Sequence, residues 1–270
     1  MDDEEEQPSG DQWSSDMWRK ALVEGQVATK WMRRLMRATP SSPRCSMCYA
    51  PFRGLGGRIF GLAGFSASRK NPNWCQRCFE EGPMGGAEVD TGVLFADIRG
   101  FTTFSESRSP EEVTRHANRF YAVAANVLAR HDAVIDKMVG DEVMALFVPG
   151  FAGKDYVRKM AQAAEAMLRG VGYGGGEPWL PLGLGIDVGN AWVGNVGAGE
   201  VKDFTALGDV VNTAARLQGQ ARPGQIVMGE RVYEVVAERY PEAAPVSLDL
   251  KGKSEPVAAR IVDLSGVPVA

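Results

Sequence analysis

Between Val93 and Arg216 the chain alternates short apolar segments with longer segments whose apolar residues recur at helical spacing. The predicted strands are Val93–Ile98, Ala133–Met138, Glu142–Val148 and Leu182–Val188, and the predicted helices begin at Ser109, Asp155 and Asp209. The start at Ser109 is the best marked, because Pro110 follows at the first helical position and Glu112 completes a capping box. The order strand–helix–strand–strand–helix–strand, with more strands after it, predicts an α+β protein with a ferredoxin-like βαββαβ core and additional strands.

The composition excludes several protein classes. The 270 residues are 44% hydrophobic and 24% charged, and no apolar run approaches the ~18–20 residues that a membrane-spanning helix needs. The chain opens with Met-Asp-Asp-Glu-Glu-Glu, which has the wrong charge for a signal peptide, so a cytoplasmic protein is expected. The net charge of −4 gives no support for a nucleic-acid partner.

Charge is distributed unevenly along the chain. Residues 1–12 contain six acids and no base, residues 13–78 have a local net charge of +10, and residues 79–270 have one of −8. These compositions predict a disordered acidic tip, a basic region and a larger acidic domain. The predicted boundaries are 1–12 for the tip, 13–40 for an amphipathic basic helix, 41–84 for a four-cysteine module and 88–266 for the acidic domain.

The predicted helix over 13–40 has an apolar stripe, with Gly25 weakening its middle and Pro40 marking its end. The stripe consists of Met17, Ala21, Ala28, Met32 and Leu35, widened by Trp18, Leu22, Trp31 and Met36. A basic helix of this kind could lie on an anionic membrane surface, or it could pack on its own domain or pair with its copy in a dimer. We favour packing, because the acidic tip and the modest length of the helix argue against strong membrane attachment.

All four cysteines of the chain lie in two C-x-x-C pairs. The pairs are Cys45 with Cys48 and Cys75 with Cys78. A two-residue gap lets a tight turn direct both thiolates at one ion, and two such pairs complete a tetrahedron, for which structural zinc is the usual occupant. An iron–sulfur cluster would use the same four ligands. The segment between the pairs is rich in glycine and arginine and could not build a core alone, which is a physical reason for a metal. The alternatives are four unligated thiols or disulfides, and disulfides are disfavoured in a cytosolic protein.

The strand that ends at Ile98 presents a carboxylate, Asp97, just before a glycine turn into a helix. The carboxylate can face a cation, while the turn N–H groups of Gly100, Phe101 and Thr102 can hold phosphate oxygens. Taken alone, the same pattern is that of an ordinary strand-end aspartate at a turn.

Three further polar residues stand at places that suit chemistry. Asp141 follows Gly140 on the turn between two predicted strands, and Asn212 and Arg216 lie four residues apart on one face of a predicted helix. Each of these also has an ordinary interpretation, as turn chemistry or as a solvated helix face.

Several separated motifs, in order, resemble the catalytic domain of the class III nucleotidyl cyclases, the adenylate and guanylate cyclases. The resemblance runs from Val89 to about Leu264. The matching segments are Phe95-Ala-Asp-Ile-Arg-Gly-Phe-Thr102, Lys137-Met-Val-Gly-Asp141, Gly185-Ile-Asp-Val-Gly189, Phe204-Thr-Ala-Leu-Gly-Asp-Val-Val-Asn-Thr-Ala-Ala-Arg216 and Leu250-Lys-Gly-Lys253.

The resemblance implies a role for each matching residue. Asp97 and Asp141, with the backbone carbonyl of Ile98, match the positions that hold two Mg²⁺ or Mn²⁺ ions. Asn212 matches the residue that orients the ribose, and Arg216 the one that stabilises the charge developing on the reacting phosphate.

The resemblance also assigns the nucleotide-binding residues. Lys137 and Thr205 match the two base-selecting positions, at which adenylate cyclases carry lysine and either aspartate or threonine. Lys251 matches a triphosphate-binding lysine, although Lys253 lies within alignment error of it. Many relatives carry another basic residue shortly before the Asp-Phe-Thr segment, and here only Lys202 is available.

These matches imply an adenylate cyclase that converts ATP into 3′,5′-cyclic AMP and pyrophosphate by two-metal in-line phosphoryl transfer. The alternatives are a cyclase of another nucleotide, guanylate or pyrimidine, and a catalytically silent regulatory protein. In this family the metal carboxylates and the transition-state residues come from different subunits. Because this chain carries both sets, the resemblance implies a head-to-tail homodimer with two equivalent sites.

Overall fold

A computed structural model describes residues 14–25, 36, 43–68, 71–79, 82–198 and 201–266. The chain divides into two compact units. The first unit comprises residues 1–89 and 192–206, and the second comprises residues 90–191 and 207–270. The predicted acidic tip, 1–12, lies outside the described residues.

The described part of the first unit contains short helices and a β-hairpin. Its helices are α1 (Ser15–Glu24), α2 (Gly54–Leu62) and α3 (Gln76–Phe79). Strands β1 (Gly85–Ile98) and β4 (Leu182–Ala198) contribute their beginning and their end, respectively, and β5 (Val201–Leu207) pairs with β4.

The predicted helix over 13–40 is helical at its start, over Ser15–Glu24, but the prediction that it continues through Gly25 is wrong. Helix α1 ends at Glu24 because Gly25 adopts the left-handed conformation (φ 66°) and its N–H bonds the carbonyl of Ala21. Trp18, Ala21 and Leu22 are buried as predicted, whereas Met17 is half exposed. The remainder of the predicted helix lies outside the described residues, apart from Met36, which is helical and buried.

The second unit carries most of the sheet and the longer helices. Its own strands are β2 (Val134–Val139), β3 (Glu142–Phe147), β6 (Gln225–Gly229), β7 (Ala244–Leu248) and β8 (Val257–Asp263). Its helices are α4 (Phe101–Glu106), α5 (Pro110–Arg130), α6 (Pro149–Ala152), α7 (Tyr156–Gly170), α8 (Asp209–Gln220) and α9 (Glu230–Val236). The strand order β2-β3-β1-β4-β6-β8-β7, with the helices in the predicted places, confirms the βαββαβ core with additional strands.

Two strands are longer than predicted, and the added part of each contains glycines. Strand β1 begins at Gly85 rather than Val93, and β4 runs unbroken past Val188 to Ala198. Glycines suggest strand ends in a sequence, but here they permit close backbone approach: a Cβ at Gly86 would lie 2.4 Å from the Val193 carbonyl oxygen.

The core of the second unit packs helices α5 and α7 against the sheet. Phe120 and Leu128 of α5, Phe147 of β3 and Met160 of α7 are fully buried in one cluster. Helix α5 begins at the predicted capping box, in which the Ser109 hydroxyl accepts a hydrogen bond from the Glu112 N–H at 3.3 Å.

No helix in the described ranges combines the length and the apolar character needed to cross a bilayer.

Candidate active site and cysteine centre

Two carboxylates meet where β1 ends beside the β2–β3 turn. Asp97 is the penultimate residue of β1 and pairs in register with Glu142, the first residue of β3. Asp141 lies on the turn, and its carbonyl accepts a hydrogen bond from the Ile98 N–H at 3.2 Å. Burial and the neighbouring Asp141 raise the pKa of Asp97, although the Arg99 guanidinium, 3.7 Å away, opposes them. A hard divalent cation would relieve this repulsion through the oxygen ligands it prefers.

Three residues beside this pair were missed by the sequence analysis. The pKa of Glu142 is raised by burial and then by the two aspartates, so a third acid contributes to the negative charge. Arg99 donates to the Gln218 carbonyl at 2.6 Å, and the Gln218 side chain favours the charged form of Asp97. Glu142 could have been found from its place next to Asp141, but nothing in the sequence brings Gln218 to β1.

The loop after β1 is shaped by one glycine. Gly100 has φ 73°, and open space surrounds the position of a Cβ, so its conformation and not crowding favours glycine there. Phe101 begins α4 and stacks on Phe104 with ring centroids 6.1 Å apart, while Thr102 is exposed.

Helix α8 presents the second predicted set of residues. Asn212 is exposed and Arg216 half-buried on the same face. The guanidinium of Arg216 lies beside the turn at Gly252, where a Cβ would stand 3.1 Å from Nη2. Lys251 on that turn is exposed, whereas Lys253 forms an ion pair with Asp209. Arg216 and Lys251 therefore both lie at this turn, whereas Lys253 is paired with Asp209.

Arg216 and the acidic pair lie on different sides of α8. Gln218, which is 6% exposed and lies close enough to Asp97 to lower the pKa of its carboxyl, comes two residues after Arg216. Two residues correspond to a rotation of about 200° around a helix, so Arg216 points away from the side of α8 that meets Asp97.

The two predicted base-selecting residues belong to different units. Lys137 is exposed on β2, just after a break in register between Ile135 and Lys137, and it lies opposite Met144 of β3. Thr205 is 7% exposed in β5 of the first unit. Lys202, the remaining candidate for a triphosphate contact, instead donates a hydrogen bond to the Gly82 carbonyl within the first unit.

The second unit also contains a cleft of about 360 Å³ with a buried acid in its wall. Burial raises the pKa of Asp187 to about 6, although the Val188 N–H and the charges of Arg231 and Lys253 oppose that rise. The close approach of Gly229, where a Cβ would lie 2.2 Å from Asp187 Oδ1, shuts out water on one side.

The four cysteine sulfurs of the first unit converge on one point. All lie within 4.8 Å of one another, and the sulfurs of Cys48 and Cys75 are 3.7 Å apart. A tetrahedral ion with metal–sulfur bonds of about 2.3 Å needs sulfurs about 3.8 Å apart, so the geometry fits a single ion. All four are free thiols, and backbone N–H groups donate to Cys45 Sγ at 3.2 Å and to Cys75 Sγ at 3.4 Å.

The crowding of these thiols also favours a cation. Hydrogen bonds from the other three thiols lower the pKa of Cys45, and the resulting thiolate raises the pKa of Cys78. Without an ion the four sulfurs therefore compete to be ionised, whereas a bound cation would let all four be thiolates together.

Comparison with known proteins gives a consistent result. The family described as "Adenylate and Guanylate cyclase catalytic domain" matches residues 87–260. Adenylate cyclase 1 of Rhizobium meliloti is 36% identical over 149 residues, which are 52% of this chain and 22% of that protein. Adenylate cyclase of Anabaena cylindrica is 33% identical over 152 residues, 51% of this chain and 30% of that protein. The chain thus spans less than a third of these relatives.

Solved structures show the same similarity. The guanylyl cyclase Cya2 superposes with a TM-score of 0.59 and 29% identity over 68% of this chain and 96% of that one. The adenylyl cyclase CyaB of P. aeruginosa gives a TM-score of 0.57 and 28% identity over 67% of this chain and 97% of that one. Together with the paired carboxylates and the confirmed strand order, these matches establish that the chain belongs to the class III nucleotidyl cyclases, the adenylate and guanylate cyclase catalytic-domain family.

Proposed function

We propose that the chain is an adenylate cyclase that converts ATP into 3′,5′-cyclic AMP and pyrophosphate. The observation that carries the proposal is the juxtaposition of Asp97 and Asp141 at the end of β1, in a chain that also exposes Lys137 on β2. The paired acids suit cyclisation of any nucleoside triphosphate, and the lysine suits adenine.

The acidic pair, with the carbonyl of Ile98, would hold two divalent ions. Magnesium or manganese bound there would lower the pKa of the ribose 3′-hydroxyl and offset the charge of the triphosphate. The contribution of the chain is to hold Asp97 and Asp141 close despite their repulsion, which the hydrogen bond from Ile98 and the charge of Arg99 make possible.

The exposed face of α8 would bind the reacting part of the nucleotide. Asn212 can orient the ribose through its amide, and Arg216 offers a planar cation where negative charge develops, a role worth about 10³-fold or more in rate. Lys251, on the turn beside Arg216, would hold the triphosphate.

Base choice rests on hydrogen-bond polarity. Lys137 can donate to the N1 acceptor of adenine, whereas guanine presents an N1–H donor, and the Thr205 hydroxyl can accept from the adenine amino group. A site that leaves a buried donor or acceptor unpaired rejects the wrong base strongly. Guanylate cyclase is the second candidate, because the guanylyl cyclase Cya2 is as similar to the chain as the adenylyl cyclase CyaB is.

The proposed active form is a head-to-tail homodimer. It is supported by the orientation of Arg216 away from the side of α8 that meets Asp97, since a second copy related by a two-fold axis could supply the missing set to each site.

The decisive experiment offers ATP, GTP, CTP and UTP together with Mn²⁺ and identifies the cyclic product by mass spectrometry. Cyclic AMP as the main product is expected; cyclic GMP or a cyclic pyrimidine nucleotide would replace the adenylate assignment, and no product at all would favour a silent regulatory protein. Asp97→Asn should abolish turnover. Asp132→Asn is the matched control, because Asp132 lies on the surface in an ion pair with Lys159 and its left-handed backbone suits asparagine.

For the cysteine centre we propose structural zinc. Sulfurs within 4.8 Å of one another suit one tetrahedral ion, whereas the cysteines of an iron–sulfur cluster bind different iron atoms and must surround the whole core. Elemental analysis of the purified protein should give one zinc per chain; iron with visible absorbance would overturn the assignment. Four free thiols and a nucleotide substrate also favour the reducing cytoplasm.

A further inference from the structure

The strand that carries Thr205 is built into the four-cysteine unit through one aromatic residue. Phe204, which is 4% exposed, is surrounded by Trp74, Phe79 and Trp18, with ring centroids 5.7, 6.1 and 6.4 Å from its own. Trp74 and Phe79 also meet each other edge to face at 5.5 Å. Such clusters favour one arrangement of their rings, because each tilted contact adds to the burial of apolar area.

Two of these aromatic residues are adjacent to metal-binding candidates in the sequence. Trp74 directly precedes Cys75, and Phe79 directly follows Cys78. The C-x-x-C turn that directs both sulfurs inward therefore also fixes the positions of the two rings against Phe204.

Polar contacts fasten the same hairpin on both of its strands. Asn195 of β4 donates to the Pro83 carbonyl at 2.8 Å, and Lys202 of β5 donates to the Gly82 carbonyl. Both acceptors lie in the segment that follows the second cysteine pair. The hairpin is thus held by a segment more than a hundred residues earlier in the chain.

Thr205 is the next residue after Phe204, and neighbouring side chains of a strand point to opposite faces. A strand that shifts or rotates to repack Phe204 on one face must move the hydroxyl of Thr205 on the other. A hydrogen bond weakens steeply with distance and angle, so a small displacement is enough to lose the discrimination it provides.

We propose that the metal-loaded four-cysteine module is a positioning device for base recognition: through Trp74, Phe79 and Phe204 it sets the place of the Thr205 hydroxyl. The inference rests on the proposed function, because it takes Thr205 as a base-reading residue. Metal occupancy then controls which nucleotide is used, in addition to the stability of the unit.

The test compares Phe204→Leu with Phe60→Leu in the full-length chain. Phe204→Leu keeps an apolar side chain but removes the ring contacts. Phe60→Leu makes the same change in the same unit, where Phe60 meets Phe65 at 6.2 Å. The readout is the ratio of kcat/KM for ATP to that for GTP, with Thr205→Ala setting the full size of the effect. We expect about a tenfold fall of the ratio in Thr205→Ala, a fall of at least threefold in Phe204→Leu and none in Phe60→Leu.

The metal is tested separately. Wild-type protein stripped of metal by a chelator, and a Cys45→Ser variant, should show the same fall in the ratio at temperatures where circular dichroism shows a folded chain. Zinc added back should restore the ratio in the stripped protein only.

The outcomes separate the two proposals. A wild-type protein that turns over neither purine nucleotide refutes the proposed function. An unchanged ratio in Thr205→Ala removes Thr205 from base recognition and overturns the inference. Two outcomes would overturn the inference alone and make the module a stabilising cap. In the first, the ratio falls in Thr205→Ala but stays at the wild-type value in Phe204→Leu and in the stripped protein. In the second, Phe204→Leu and the stripped protein lose activity equally for both nucleotides.

Discussion

Replacement of Asp187 by asparagine should stabilise the protein at neutral pH. The carboxyl of Asp187 lies in the wall of the cleft in the second unit, where burial raises its pKa from 3.8 to about 6. Between these values the folded chain binds a proton that the unfolded chain releases, so the stability contributed by Asp187 is complete below about pH 4 and is lost as the pH rises through 6.

The size of the effect follows from the two pKa values. Their difference means that the ionisation of Asp187 lowers the free energy of unfolding by about 3 kcal/mol at pH 7.5 and by about half of that at pH 5. Asparagine keeps an oxygen for the Val188 N–H, which Asp187 Oδ1 accepts at 2.9 Å, and carries no charge. Its amide adds donors that need partners, so we expect a net gain of about 1–2 kcal/mol at pH 7.5.

The assay is urea unfolding of Asp187→Asn and wild type at pH 5 and pH 7.5. The free energy of unfolding of the variant, relative to that of wild type, should be about 1.4 kcal/mol higher at pH 7.5 than at pH 5. Asp249→Asn, a change at an exposed position of the same unit, is the control and should show no such difference. A variant less stable than wild type at pH 7.5 would refute the reasoning, because the carboxylate would then gain more from Arg231 and Lys253 than it loses by burial.

Three other outcomes are expected. Asp97→Asn and Arg216→Ala should each be inactive on their own. When the two variants are mixed and allowed to exchange subunits, they should regain about a quarter of wild-type activity, because half of the dimers are mixed and each of these keeps one of its two sites intact. No recovery would exclude a site shared between subunits. Lys137→Glu should lower kcat/KM for ATP relative to GTP at least about tenfold, and an unchanged ratio removes this lysine from base recognition. The Glu165 carboxylate accepts hydrogen bonds from two arginines and a tyrosine at 2.8–3.0 Å. Glu165→Gln should therefore cost about 2–3 kcal/mol in urea unfolding with the nucleotide ratio unchanged; wild-type stability would mean that the network contributes nothing.

Local pattern was sufficient to predict the element order and several exact starts. Helix α5 begins at Pro110 after the capping box that Ser109 and Glu112 form, because the signal lies within four residues. The turn that carries Asp141 was predicted for the same reason: glycine and aspartate between two apolar runs fix a turn wherever they occur.

Glycine-containing segments were predicted less well, because glycine has opposite meanings in different surroundings. Gly25 ends α1 by adopting the left-handed conformation, whereas Gly86 continues a strand because the neighbouring backbone leaves no room for a side chain. The sequence contains the residue in both cases, but only the packing around it decides which property is used.

The sequence by itself determined the fold class, the family motifs and the presence of two C-x-x-C pairs, since each is encoded by spacing within a short window. Tertiary structure decided what those motifs contact. Arg99 donates a hydrogen bond to Gln218, Arg216 points away from the side of α8 that lies near Asp97, and Phe204 packs among aromatic residues beside the cysteines. Contacts between residues more than a hundred positions apart depend on how whole elements pack. No local period or spacing specifies them.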